Sequence, residues 1–170
     1  VNHDPEVIRK LESLPVKGWE GTVYRHVLGK LKPDRENTRG ARWNPPETSA
    51  IYCSVARETA LAEGEHNIAL QPVRPTAARQ LYKVNVRLAR VIDLSSWESL
   101  TLFGINEENF AEEEFELTQT VGGAVERLHC DGMLVPSARH GGTNLVIFPR
   151  QALIPDFFDP IGVEVINEST

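Results

Sequence analysis

Five side chains of reactive type stand out along the chain: Arg25, Arg42, Tyr52, Glu63 and Ser137. A guanidinium forks onto phosphate oxygens as a lysine does not. A tyrosine ring offers a flat apolar face to a heterocycle. A carboxylate stabilises positive charge that develops on a neighbouring carbon, and a serine hydroxyl both donates and accepts. The stretch GARWNPPETSAIYCS, residues 40–54, concentrates this chemistry: Arg42 and Trp43 precede the Pro45–Pro46 pair, and Tyr52 follows within a short apolar run. Each residue alone has an ordinary structural explanation, as a strand surface residue, a loop ion pair, a core aromatic, a solvated helix position or a turn former. Only the set argues for a site. His140 follows Ser137 closely, but closeness in sequence does not make it a base, so Ser137 reads as a hydrogen-bonding group rather than a nucleophile.

The elements that must position these residues are legible from pattern. Asp4 and Pro5 predict a short helix that stops before Pro15. WEGTVYRHV, 19–27, reads as a strand carrying Arg25, and the polar residues 28–40 read as a long loop. AIYCS, 50–54, is a second strand. Ser54 is then expected to cap a helix over 55–70, with Val55, Ala62 and Ala69 on its apolar stripe, Leu61 and Ile68 beside it, and Glu63 off it. Gly64 in that helix costs about 1 kcal/mol relative to Ala and implies a close contact. Residues 80–94 alternate as one long strand or two, and SWESLTLFG predicts a helical turn. A second long helix or helix pair is expected over 106–130, interrupted near Gly122–Gly123. DGMLVPSARHGGTNLVIFP reads as strand, loop and strand, with Ser137 just past the first strand and Asn144 opening the second. This order does not alternate as a doubly wound sheet does, and it predicts a mixed α+β domain.

Composition bounds the class. A chain of 170 residues with 41% hydrophobic and 25% charged residues predicts one globular domain with a real core, and no linker or repeat divides it. No apolar run is long enough to cross a bilayer and VNHDPEVIRK carries no leader-like apolar region, so a cytoplasmic protein is expected. Cys53 and Cys130 lie in no metal-ligand spacing, so neither a zinc site nor any other metal is expected. A net charge of −6 argues against direct nucleic-acid binding. The charge is uneven: residues 1–46 hold nine Lys or Arg against six Asp or Glu, whereas 106–131 hold eight Asp or Glu against one Arg. The first region would draw an anionic small molecule and the second a basic partner, unless the acidic run is simply a solvated helix face.

Taken in order, YR at 24–25, GARWNPP at 40–46, IYCS at 51–54, ETALAE at 58–63 and VPSAR at 135–139 resemble the RES domain, over roughly residues 20–150. That family is named for an arginine, a glutamate and a serine, which the resemblance places at Arg42, Glu63 and Ser137 as catalytic positions. Arg25, Tyr52, Trp43 and Asn144 fall at positions for binding the substrate. One departure is Glu47, where the family pattern has glycine after the proline pair. The resemblance implies an ADP-ribosyltransferase-like fold, a split, twisted β-structure with surrounding helices. It implies a bacterial toxin that degrades NAD at the nicotinamide–ribose bond, with NAD as substrate and no separate cofactor. The implied partner is an Xre-type helix-turn-helix antitoxin. Arg25 and Arg42 would then grip the pyrophosphate, Glu63 would face the ribosyl cation, and Tyr52, with Trp43, would stack on nicotinamide. The acceptor stays open between water, inorganic phosphate and a protein side chain. An ADP-ribosyltransferase acting on a protein, or an inactive NAD-binding module, are the alternatives.

Overall fold

The computed structural model describes residues 4–112 and 114–167. Helix α1, Pro5–Glu12, starts as the sequence predicts: the Asp4 carboxylate accepts from the Glu6 amide at 2.9 Å, and Val7 and Leu11 are buried. Strand β1, Val16–Leu28, runs antiparallel to β3, Arg79–Asp93, from Val16 opposite Ile92 to Leu28 opposite Arg79, with a register shift between Lys17 and Trp19. Strand β2, Ile51–Ser54, touches β1 through the Tyr24–Ser54 pair and lies antiparallel to β5, Thr143–Ile147. Strand β4, Gly132–Pro136, pairs antiparallel with β5 and parallel with β3. The ring β1–β2–β5–β4–β3–β1 is therefore closed like a barrel, and β6, Phe158–Ile166, extends it along the outer edge of β3.

The protein is a mixed α+β fold. All six strands belong to one hydrogen-bonded sheet. The reason is the length of β3, whose 15 residues serve β1 on one edge and both β6 and β4 on the other. Alternation fills the barrel: Val23, Ile51, Cys53, Val84, Val86, Leu88, Leu145 and Ile147 form one core cluster. A second cluster lies outside the barrel wall, where Met133, Val135, Val146 and Phe148 meet Leu11, Leu100 of helix α3 (Trp97–Thr101), and Val121 and Val125 of helix α4 (Glu116–Arg127).

Three helical expectations are corrected. Helix α2 spans Arg57–Ala69, but its N-cap is Ala56; the Ser54 hydroxyl instead donates across the sheet to Asn144. Its buried face is Thr59, Ala60, Gly64 and Ile68, because it packs on polar, closely approaching neighbours rather than on an apolar stripe of Val55, Ala62 and Ala69. The acidic residues 106–112 are turns, not helix, and α4 continues unbroken through Gly122 and Gly123, both buried. A Cβ on Gly122 would stand 1.7 Å from the Trp43 carbonyl oxygen, so glycine here marks a backbone contact, not a break. Within the acidic run Asp131 is buried and accepts from the Ala89 and Arg90 amides at 2.9 Å each, so it adds nothing to a docking surface. Glu113 of that run lies outside the described residues.

Candidate active site

Strands β2 and β5 present Ile51, Cys53, Leu145 and Ile147 to the barrel core, so their alternate residues Tyr52, Ser54, Asn144 and Val146 face the other way. Helix α2 crosses this face and brings Glu63 over it. The approach is close because Gly64 has no side chain: a Cβ there would lie 2.4 Å from the His26 ring. Between these elements lies a cavity of about 560 Å³ walled by Arg25, Arg42, Tyr52, Glu63, Arg139 and Asn144, among others. That volume falls in the range of small-molecule sites, about 300–1,000 Å³.

The Glu63 carboxylate is held at one oxygen: Asn144 Nδ2 donates to Oε2 at 2.5 Å. Asn144 Oδ1 in turn accepts from the Ser54 hydroxyl at 2.7 Å. Among the described residues the other charged side chains on the wall beside Glu63 are Arg25, Arg42 and Arg139, a cationic lining that suits an anionic ligand.

Arg42 sits between two aromatic rings, 5.0 Å from the Phe110 centroid and 4.8 Å from that of Phe115. Its Nη1 donates to the Phe110 carbonyl and to the Glu112 carbonyl. The backbone beneath it is tied to α4, where Thr118 Oγ1 donates to the Arg42 carbonyl and Gln119 Nε2 to that of Ala41. The loop closes on Asn44, fully buried, which donates to the carbonyls of Asn37 and Thr48. The Tyr52 hydroxyl accepts from the Trp43 and Asn44 amides at 3.0 and 3.1 Å and donates to Asn44 Oδ1 at 2.5 Å. Burial raises its pKa. Its hydroxyl is thus spent on the loop, and only its ring faces the cavity. Glu47, which departs from the family pattern, adopts φ 83, a conformation that favours glycine.

Three expectations about individual residues change in the structure. Arg25 lines the cavity, yet its Nε, Nη1 and Nη2 donate to the carbonyls of Pro33, Tyr52 and Arg35 at 2.6, 2.7 and 2.9 Å. It ties the long loop to β2, where a phosphate fork was expected. Trp43 borders the cavity but is only 3% exposed, with its ring 5.9 Å from that of Phe110, so it packs in the core where stacking on nicotinamide was expected. Ser137 is buried outside the wall: its Oγ accepts from the Arg139 and His140 amides at 3.1 and 3.2 Å. It shapes the loop that carries Arg139 into the cavity, while Thr59 meets His140 Nδ1 at 3.0 Å and pins that loop to α2. Arg139 and Ser54 were missed as site residues. Arg139 stood inside the VPSAR motif, but nothing in its spacing distinguished it from a surface cation. Among the described residues no group of three or more His, Cys, Asp or Glu side chains could hold a metal ion.

A closed α+β barrel that sets the Glu63 carboxylate among arginines in one cleft is the arrangement of an enzyme acting on an anionic small molecule. The RES domain family model matches residues 22–159, and the chain belongs to that family. The chain is similar to the NAD(+) phosphorylase MbcT of Mycobacterium tuberculosis (strain H37Rv), 28% identical over 154 residues that cover 85% of this chain and 81% of that protein. The same figures hold for MbcT of Mycobacterium bovis. Among solved structures, a chain in the crystal structure of the M. tuberculosis MbcT–MbcA toxin–antitoxin complex superposes with a TM-score of 0.84, at 24% identity, over 96% of this chain and 93% of that one. Among the described residues no helix is long and apolar enough to cross a membrane.

Proposed function

We propose that this protein is a toxin that cleaves NAD at the nicotinamide–ribose bond and passes the ADP-ribosyl group to inorganic phosphate. The observation that carries the reading is Glu63: among the described residues it is the one carboxylate on the cavity wall, held at Oε2 by Asn144, and the other wall charges are arginines. As the C–N bond breaks, its electron pair leaves with the nicotinamide nitrogen, and positive charge builds on the ribose carbon. Glu63 stabilises that charge and holds the ribose hydroxyls. A phosphate oxygen then bonds to the same carbon, giving nicotinamide and a phosphorylated ADP-ribose with no further reactant. The Tyr52 ring packs on nicotinamide. Arg42 and Arg139 attract the pyrophosphate and the incoming phosphate, while Arg25 and Ser137 hold the loops around them.

Phosphate is favoured over water because the MbcT relatives, which align with 85% of this chain, are named NAD(+) phosphorylases. Kinship of the barrel to ADP-ribosyltransferases is part of the same reading. So are a single functional unit over 1–170, action in the cytoplasm and the absence of a separate cofactor. The toxin–antitoxin complex of a protein of like fold supports an antitoxin partner, which we take to be of the Xre helix-turn-helix type.

The test is purified protein with NAD, with and without phosphate, followed by chromatography for nicotinamide. Release that needs phosphate and is lost in Glu63→Gln, with NAD still bound, supports the proposal. Release in buffer alone makes water the acceptor. No release from folded protein under either condition removes NAD degradation and leaves a transferase that needs its protein target.

A further inference from the structure

We infer that Ser54 is a positioning residue for Glu63, acting through the side-chain amide of Asn144. Three observations converge. Ser54 and Asn144 stand directly opposite in the β2–β5 pair, so the sheet itself sets their separation. The Ser54 hydroxyl, on a residue 3% exposed, donates to Asn144 Oδ1 at 2.7 Å, and Asn144 Nδ2 donates to Glu63 Oε2 at 2.5 Å. Among the described residues Glu63 Oε1 has no hydrogen-bond partner, so one carboxylate oxygen is anchored while the other is left to the ligand.

An amide has its acceptor and its donors on opposite branches. Once a hydroxyl occupies the Oδ1 side, the NH₂ must face the other way, towards Glu63. Ser54 therefore fixes which branch of Asn144 meets the carboxylate and how far the branch can swing. Without the hydroxyl, Oδ1 of the half-buried Asn144 loses its donor and the amide is free to turn. Glu63 sits on a helix and Asn144 on a strand, and among the described residues this bond alone ties the carboxylate to the sheet. In this account Asn144 orients the glutamate, where a direct contact to NAD was expected of it. Ser54 closes the IYCS motif of the resemblance, which gives it no role, and the chain of two bonds is not visible in the motifs. The spacing of Ser54 suggested a helix cap.

This inference rests on Glu63 acting in NAD cleavage, and its test separates the two. Nicotinamide release by the wild-type protein in phosphate is measured first, and its absence sinks the NAD reading itself. With an active wild type, Ser54→Ala is expected to lower kcat about tenfold or more, because small misplacements of a reacting group are costly. KM should stay within about threefold, since uniform binding is untouched. Ser54→Thr keeps the donor and should restore most of the kcat. Asn144→Asp places a second carboxylate against Glu63, and two such groups share a proton. The acid limb of its kcat profile should move up by about one pH unit or more relative to wild type. The remaining titratable groups around the cavity, His26, His66, Arg25, Arg42, Arg139, Tyr24, Tyr52 and Cys53, are the same in both proteins, so the difference reports on the new pair. Ser54→Ala with wild-type kcat, a loss confined to KM, failure of Ser54→Thr to restore kcat, or an unmoved acid limb in Asn144→Asp would each overturn the inference. If Ser54→Ala does not fold, the threonine and aspartate variants decide it.

Discussion

Gly122→Ala sets local propensity against tertiary contact with opposite signs. In an isolated helix the change is favourable by about 1 kcal/mol. In this fold the new Cβ would stand 1.7 Å from the Trp43 carbonyl oxygen and 2.8 Å from its carbonyl carbon. An ordinary carbon–oxygen contact is about 3.3 Å, so α4 and the 41–43 segment must separate by about 1.5 Å. The obstacle is backbone, so no rotamer change relieves it. The separation also stretches the Thr118–Arg42 and Gln119–Ala41 hydrogen bonds, each worth about 1 kcal/mol. Overpacking adds about 1–3 kcal/mol. Set against the helix gain, the variant should lose about 2–4 kcal/mol, or about 5–15 °C in Tm for a domain of this size. Urea and thermal unfolding of the purified variant measure this directly. Nicotinamide release should fall as well, because Arg42 rides on the displaced segment. A variant that melts at or above the wild-type temperature would refute the reasoning, since it would mean that α4 does not hold the arginine loop as described.

Two further outcomes follow from the same site. Tyr52→Phe removes the hydroxyl that accepts from the Trp43 and Asn44 amides and donates to Asn44 Oδ1. Leaving these buried groups without partners should cost about 2–4 kcal/mol in urea unfolding, and a loss below about 0.5 kcal/mol, the range of a neutral surface change, would show that the hydroxyl does not hold the loop. His26 is pushed down from 6.5 to about 4, first by burial, then by the Arg79 guanidinium, with Arg25 acting the same way and Glu65 opposing. Between those values the unfolded chain binds a proton that the folded chain does not. Its contribution to stability is therefore complete above about pH 6.5, is lost as pH falls towards 4, and changes no further below that. Discounted for partial solvent screening, the loss is about 1–3 kcal/mol. His26→Gln should remove that part of the slope in urea midpoints taken from pH 7.5 to 4.5, and an unchanged slope would assign the effect to other groups.

How far the site could be read depended on whether a residue's role is local. Glu63 could be found because it interrupts a helical pattern with a charge on the side occupied by small residues. Arg42 and Tyr52 could be found because they flank a rigid proline pair in a recognisable block. The roles of Trp43, Arg25 and Ser137 could not, because a side chain's direction depends on what packs against it. An arginine with three backbone carbonyls around it looks no different in sequence from one that waits for phosphate. The glycines of α4 read as an interruption for the same reason: propensity counts what glycine lacks within its own helix, and says nothing of the neighbour that requires the lack. The run 106–112 reads as charged helix, yet it forms turns, with Phe110 buried beside Arg42.

By itself the sequence determined the local elements that rest on short-range physics: the Asp4 cap of α1, the alternation of β1 to β5, the helix that carries Glu63, and the mixed α+β class. It also determined, through ordered motifs, membership of the RES family. Only the tertiary structure decided that β1 and β3 close the sheet, that β6 extends it, and that Ser54 reaches Asn144 and through it Glu63. The physical reason is separation along the chain. Helix caps and period-two alternation act over a few residues, whereas Ser54 and Asn144 are 90 positions apart and are brought within 2.7 Å only by strand register.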